Sequence, residues 1–110
     1  MKKVNVMVHV RIEHEQYLLF SNMSRENGES PTGHLRRYIF GVANNNIPLI
    51  VHDSPSIYRC KNYDTVNIKM DKEVYSKFKN LCNQKNKTVS NCIRDYVYHR
   101  CEIFLKALEE

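Results

Sequence analysis

Residues 8–39 and residues 66–97 follow the same pattern. Moved forward by 58 positions with no gap, the first stretch lays Val8 on Val66, Glu15 on Glu73, Tyr17 on Tyr75, Phe20 on Phe78, Asn22 on Asn80, Arg36 on Arg94 and Tyr38 on Tyr96. Class-preserving matches fall between these identities: Val10 on Ile68, Arg11 on Lys69, Ile12 on Met70, Met23 on Leu81, Leu35 on Ile93 and Ile39 on Val97. Self-similarity at a fixed offset marks one supersecondary unit laid down twice. At 110 residues the chain is one compact domain or two small units around one core. The division expected is a first unit over residues 3–43, a connector over residues 44–63, and a second unit over residues 64–110, all sharing one core.

Each copy opens with alternation. Val4, Val6, Val8, Val10 and Ile12 alternate with Lys3, Asn5, Met7, His9 and Arg11, and Val66, Ile68 and Met70 alternate with Thr65, Asn67 and Lys69. A period of two with β-branched residues predicts a half-buried strand. The period then lengthens. Tyr17, Phe20, Met23 and Ser24 fit one helical face, as do Val74, Phe78, Leu81 and Cys82. Asp71 is a suitable N-cap for the second copy's helix and Glu13 a weaker one for the first. Gly28 and Asn86 suit the left-handed position just past a helix end.

A further helix follows in each copy. Ser30 with Pro31 behind it, and Thr88 in the second copy, are start signals. The core faces read His34, Leu35, Tyr38, Ile39 and Val42, against Cys92, Ile93, Tyr96 and Val97. The second copy stays apolar at Cys101, Phe104, Leu105 and Leu108, which predicts a longer last helix. The connector holds Pro48, Ser54 and Pro55 and is not a long helix; its "IPLIVH" is apolar enough to pack on the core as a short extended segment.

A formal net charge of +5 favours polyanionic partners. The excess lies mainly between residues 64 and 101, where eight basic residues face four acidic ones. Lys72, Lys77, Lys79 and Lys85 read as a solvated helix face that adds non-specific attraction to DNA. No apolar run is long enough to span a bilayer, and no secretion signal is recognised, so a mature cytoplasmic protein without membrane association is expected. "NMS" at Asn22 and "NKT" at Asn86 then read as chance matches to the glycosylation pattern. Cys60, Cys82, Cys92 and Cys101 form no C-x-x-C pair and read as buried free thiols. A zinc site on His99 and Cys101 lacks a second cluster. His9, His14, His34, His52 and His99 fall in no nucleophile or metal pattern, and His34 is expected to be a packing residue. No phosphate loop is present. No enzyme activity, cofactor or metal is expected.

A short strand, a helix, a tight turn and a Ser/Thr-capped helix resemble the ribbon-helix-helix DNA-binding family, the class of the Arc, MetJ and CopG repressors. "VNIKMD" resembles the family strand and "NKTVSNCIRDYV" its turn and second helix. The resemblance implies a mainly α fold with a short two-stranded antiparallel ribbon. The family pairs two units, because one strand and two short helices cannot bury their apolar faces alone. Here the tandem copies would form an intrachain pseudo-dimer, the strand around residues 6–12 pairing with that around residues 65–70; exchange between two chains would satisfy the same contacts.

The family inserts its ribbon into the major groove of double-stranded DNA. By position, the base-reading residues would be Met7, His9, Arg11, Thr65, Asn67 and Lys69. Arg11 and Lys69 can donate to guanine O6 and N7, Asn67 can pair with adenine N6 and N7, and Thr65 or Met7 can touch a thymine methyl. Phosphate contacts would fall at Ser30, Thr32, Lys87, Thr88 and Ser90, where the helix N-terminus is an anion site. Glu29 departs from this, placing a negative charge where the other copy has Lys87. Non-identical strands imply an asymmetric DNA site. That suits a transcriptional repressor of a phage or plasmid, or a TraY-like accessory protein of a plasmid relaxosome in conjugation, and further self-association on DNA is compatible with either. The rival is an antitoxin-like interaction module using the C-terminal helix, with Ile103, Phe104, Ala107 and Leu108 at helical spacing. An RNA binder is the third reading; neither an RNP-type aromatic strand nor a GXXG loop supports it.

Overall fold

A computed structural model describes residues 4–109; Lys3 and Glu110 lie outside them. Strand β1 (Asn5–Glu13) leads directly into helix α1 (His14–Glu26), followed by α2 (Pro31–Ala43). A 3-10 turn at Ile57–Arg59 precedes β2 (Tyr63–Asp71), α3 (Lys72–Gln84) and α4 (Val89–Glu109). Among the described residues, four α-helices, one two-stranded antiparallel sheet and the 3-10 turn make up the regular structure. Among the described residues no helix is long and apolar enough to cross a membrane.

The strands pair over their full length, from Asn5 opposite Asp71 to Glu13 opposite Tyr63. Both show the same burial pattern, with Val8, Val10 and Ile12 buried on one and Val66, Ile68 and Met70 on the other. An in-register pleat sends both apolar sets to the same side. Where each strand ends, the chain turns into helix at once. The His14 N–H donates to the Asn62 carbonyl (3.1 Å), and the Lys72 N–H to the Val4 carbonyl (2.9 Å).

Helix boundaries follow local chemistry. The Asp71 carboxylate accepts from the Glu73 N–H (2.8 Å), Ser30 Oγ from the Gly33 N–H (3.0 Å), and Thr88 Oγ1 from the Asn91 N–H (3.1 Å). Each such cap is worth about 1 kcal/mol. Glu13 departs from expectation: it makes no capping bond, and its carboxylate accepts instead from the Tyr98 hydroxyl (2.8 Å). Gly28 (φ 76) and Asn86 (φ 58) take the left-handed position past α1 and α3. The following N–H groups, of Glu29 and Lys87, return to the carbonyls of Ser24 and Cys82. Asn45 (φ 59) does the same service after α2, a position the sequence reading did not single out.

The core lies under the ribbon and draws on both halves of the chain. α1 packs mainly on α4 and α2 on α3, so each half covers the other. Tyr38 and Tyr96 stack at 3.7 Å between centroids. Phe20 meets Tyr96 edge-on at 6.2 Å, and Phe78 meets Tyr38 edge-on at 6.3 Å. Stacked and edge-on pairs add about 0.5–1.5 kcal/mol each beyond their burial.

The connector runs without regular structure apart from its single turn. Leu49 and Ile50 of the apolar "IPLIVH" pack against the core, and the Ile50 N–H donates to the Tyr38 hydroxyl (2.8 Å). Farther on, Ser54 Oγ donates to the buried Asp95 carboxylate. α4 extends past the core as expected. Cys101 is buried there and Phe104 half-buried, but Leu105 and Leu108 are exposed, because the helix has outrun the elements it packs on. Of the four free thiols three are buried, and Cys60 sits half-exposed in the connector, donating to the Asn62 carbonyl (2.9 Å).

His34 is buried between α1, α2 and α4. Its ring stacks on Phe20 (4.7 Å), Nδ1 lies 2.9 Å from Ser24 Oγ, and Nε2 lies 2.7 Å from the Tyr96 hydroxyl. Ser24 spends its own proton on the Phe20 carbonyl (2.9 Å), so its oxygen accepts from His34 Nδ1–H, and Nε2 accepts from Tyr96. At the matching positions of the second half stand two buried cysteines, Cys82 and Cys92, and the Cys92 thiol together with burial pushes the Cys82 thiol up.

Burial lowers the His34 pKa, partly offset by Glu29. The folded protein therefore holds this proton less tightly than the unfolded chain, whose histidine titrates near about 6.5. The stabilising effect is complete above that pH and is lost as pH falls towards the folded-state value, by at most about 1.4 kcal/mol per pH unit. Urea unfolding at pH 7 and pH 5 should show this loss in the parent, and a His34→Gln variant, less stable at pH 7, should lack the histidine part of the slope.

Candidate nucleic-acid interface

The outward face of the ribbon is built by the same pleat that builds the core. With Val8, Val10, Val66 and Ile68 turned inward, Met7, His9, Arg11, Thr65, Asn67 and Lys69 must turn outward, and all six are exposed. The register sets them in three cross-strand pairs: Met7 opposite Lys69, His9 opposite Asn67, and Arg11 opposite Thr65. Met7 is 48% exposed in a place where a side chain chosen for solvation alone would be polar.

Two of these side chains have partners of their own. His9 Nδ1 lies 2.5 Å from Asn67 Oδ1 at the centre of the face. The Arg11 guanidinium sits 5.1 Å from the centroid of Tyr63, an exposed ring at the start of β2. This contact holds a long side chain across the strand pair without consuming its N–H donors. Tyr63 was not foreseen as part of the site; its position two residues before Thr65 on an alternating strand was the available signal.

Behind the face, Arg94 of α4 is largely buried. It donates to the Arg11 carbonyl (3.1 Å) and to the Asn91 side chain. It thus ties α4 to the backbone of Arg11, whose own side chain is exposed. Burial lowers its pKa, as expected for a cation withdrawn from water. Arg36, the matching residue of the first half, is exposed, so the alignment's Arg–Arg identity joins two different roles.

The expected phosphate-contacting residues divide. Thr88 and Ser90 line a cleft of about 400 Å³ together with Met7, His9, Tyr75 and Lys79. The cleft joins one edge of the ribbon to the start of α4, and Lys79 lies 6.0 Å from the Tyr75 ring. Lys79 thereby moves from a solvated helix face to the rim of the site. Ser30 is exposed and caps α2, and Thr32 is half-buried in its first turn.

Lys87 points elsewhere: its Nζ donates to Asp95 Oδ2 (2.7 Å), the same carboxylate that holds Ser54. That pairing raises the Lys87 pKa and ties the amine to the connector side of α4. Glu29 is bound in a two-point contact by Arg37 (2.6 and 3.0 Å), which lowers its carboxyl pKa. Its charge is therefore compensated within the same unit. His99 and Cys101 do not come together as ligands: the His99 ring lies 6.1 Å from His52, while Cys101 donates to the Gln16 carbonyl (3.5 Å). No group of three or more His, Cys, Asp or Glu suited to a metal ion occurs among the described residues.

Comparison with family models, with curated proteins and with solved structures gives no match to this chain.

The Arg94 anchor has a measurable weight. Arg94→Met keeps the apolar stem but removes a charge-assisted bond, and should lower stability by about 1.5–3 kcal/mol in urea unfolding. Arg36→Met, at the exposed matching position, should stay within about 0.5 kcal/mol of the parent.

Proposed function

We propose that the chain is a fused pair of ribbon-helix-helix units, an intrachain pseudo-dimer that binds double-stranded DNA by placing its β-ribbon in the major groove. The observation that carries this reading is the six-residue outward face: exposed, paired across the strands, and backed by a rigid core. Residues 58 apart in sequence play matching parts in the two strands, in the Ser30 and Thr88 caps, in the left-handed turns at Gly28 and Asn86, and in the aromatic stack. That correspondence supports a unit repeated about an approximate two-fold axis. The face offers guanidinium, ammonium, amide, imidazole and methyl-bearing groups, the set suited to base edges in the major groove. Thr88, Ser90 and Lys79, which line the adjoining cleft, are the proposed contacts to the DNA backbone, and Lys87 is left out because Asp95 holds it.

The strands present different residues, so the proposed site is asymmetric. Both a transcriptional regulator and a relaxosome accessory protein can use such a site. Selection of bound duplexes from a random pool should return a single non-palindromic sequence, with affinity falling steeply as salt rises. Replacing Arg11, Asn67 and Lys69 together with Ala should leave the thermal transition near that of the parent and erase the sequence preference. A triple variant as selective as the parent would show that the ribbon is not the reader.

A second reading has its own observation. Ile103, Leu105 and Leu108 are 43%, 45% and 67% exposed on the part of α4 that outruns the core. This supports a partner-binding helix in the manner of an antitoxin. Under it, deleting residues 102–110 should abolish co-purification of a protein partner and leave DNA affinity unchanged; a complex that survives the deletion would count against it.

A further inference from the structure

At the centre of the ribbon, the His9–Asn67 contact restricts what the asparagine can offer a base. An amide oxygen only accepts, so in this contact the proton is on His9 Nδ1 and the acceptor is Asn67 Oδ1, 2.5 Å away. The two residues are direct cross-strand partners. Their side chains stand beside each other on the same face, where short cross-strand distances favour such pairing. A free asparagine reads adenine with both halves of its amide, the oxygen accepting from N6 and the nitrogen donating to N7. Here the oxygen is engaged across the strands and keeps only its second lone pair for a base, whereas both N–H donors of the amide remain free of any protein partner among the described residues.

We infer that His9 is a specificity-determining residue that holds Asn67 as a donor, directing it to edges that present acceptors without a neighbouring donor, guanine O6 and N7 or thymine O4, rather than to adenine, whose N6 donor calls for the amide oxygen. This inference rests on the base-reading role proposed above, and it replaces the adenine contact expected of Asn67 from its residue type. It gives His9 a part in recognition through its cross-strand partner, the amide at the centre of the face.

The test is selection of duplexes from a random pool by the parent, Asn67→Ala, His9→Ala and His9→Val. His9 is exposed, and valine keeps the strand preference, so one of the two His9 variants retains the fold as judged by its thermal transition. The site position that loses its preference in Asn67→Ala is the one Asn67 reads. At that position the parent should select guanine or thymine, and both His9 variants should shift towards adenine by about tenfold or more, the discrimination typical of one two-point contact. A parent already selecting adenine there overturns the inference. So do His9 variants with unchanged preference, or an Asn67→Ala variant that alters no position. An Arg11→Ala arm separates the two failures. If it changes the selected site, the ribbon reads bases and only the His9 role is lost. If no variant alters the site, or the parent selects none, the ribbon-reading role falls and this inference with it.

Discussion

The antiparallel pairing of β1 with β2 is the contact on which everything else depends. It joins segments far apart in sequence and fixes them residue by residue from Asn5–Asp71 to Glu13–Tyr63. Because a pleated strand has a period of two, that register decides at a stroke which residues form the roof of the core and which face outward. A slip of one residue in β1 would turn His9 inward and Val10 outward while β2 kept Val66 inside, so the two apolar sets would no longer share a face. The helices beneath could not then close over an apolar sheet face. Core and candidate interface are therefore two sides of one geometric decision.

Beneath the ribbon the two halves are packed through each other. Tyr38 and Tyr96 meet face to face, and each receives the edge of a phenylalanine from the opposite half. The polar residues buried in this interior come with partners, whereas two buried nitrogens of half-buried residues, His52 Nδ1 and Arg100 Nε, have none. His34 is held by Ser24 and Tyr96, and Asp95 is held by Ser54 and Lys87. Buried polar atoms are tolerated on that condition. The second half replaces the histidine–serine contact with two thiols, which pack without demanding directed bonds.

Much of this was legible in the residues. The strands are carried by alternation of β-branched residues, and the helices by apolar spacing. The boundaries are carried by Asp71, Ser30 and Thr88 at one end and by Gly28 and Asn86 at the other. These signals lie within a few residues of one another, where the physics is local. What stayed hidden are contacts that no local pattern marks: Arg94 to the Arg11 carbonyl, Lys87 to Asp95, His9 to Asn67, and Arg11 to Tyr63. Lys87, expected beside a phosphate, also has a buried carboxylate as its partner eight residues on, which its place before a helix start did not signal. The exposure of Leu105 and Leu108 was also hidden, since periodicity tells which face of a helix is apolar but not where its cover stops.

Both strands of the sheet belong to a single polypeptide, and the connector is fastened at Ile50 and Ser54 along the way. The local concentration of one strand around the other is thus set by the tether rather than by how much protein is in solution. Forming this interior is a unimolecular event, indifferent to dilution, whereas an assembly from two separate chains would come apart as it became scarce. Scarcity of the chain would therefore not by itself weaken this strand pair.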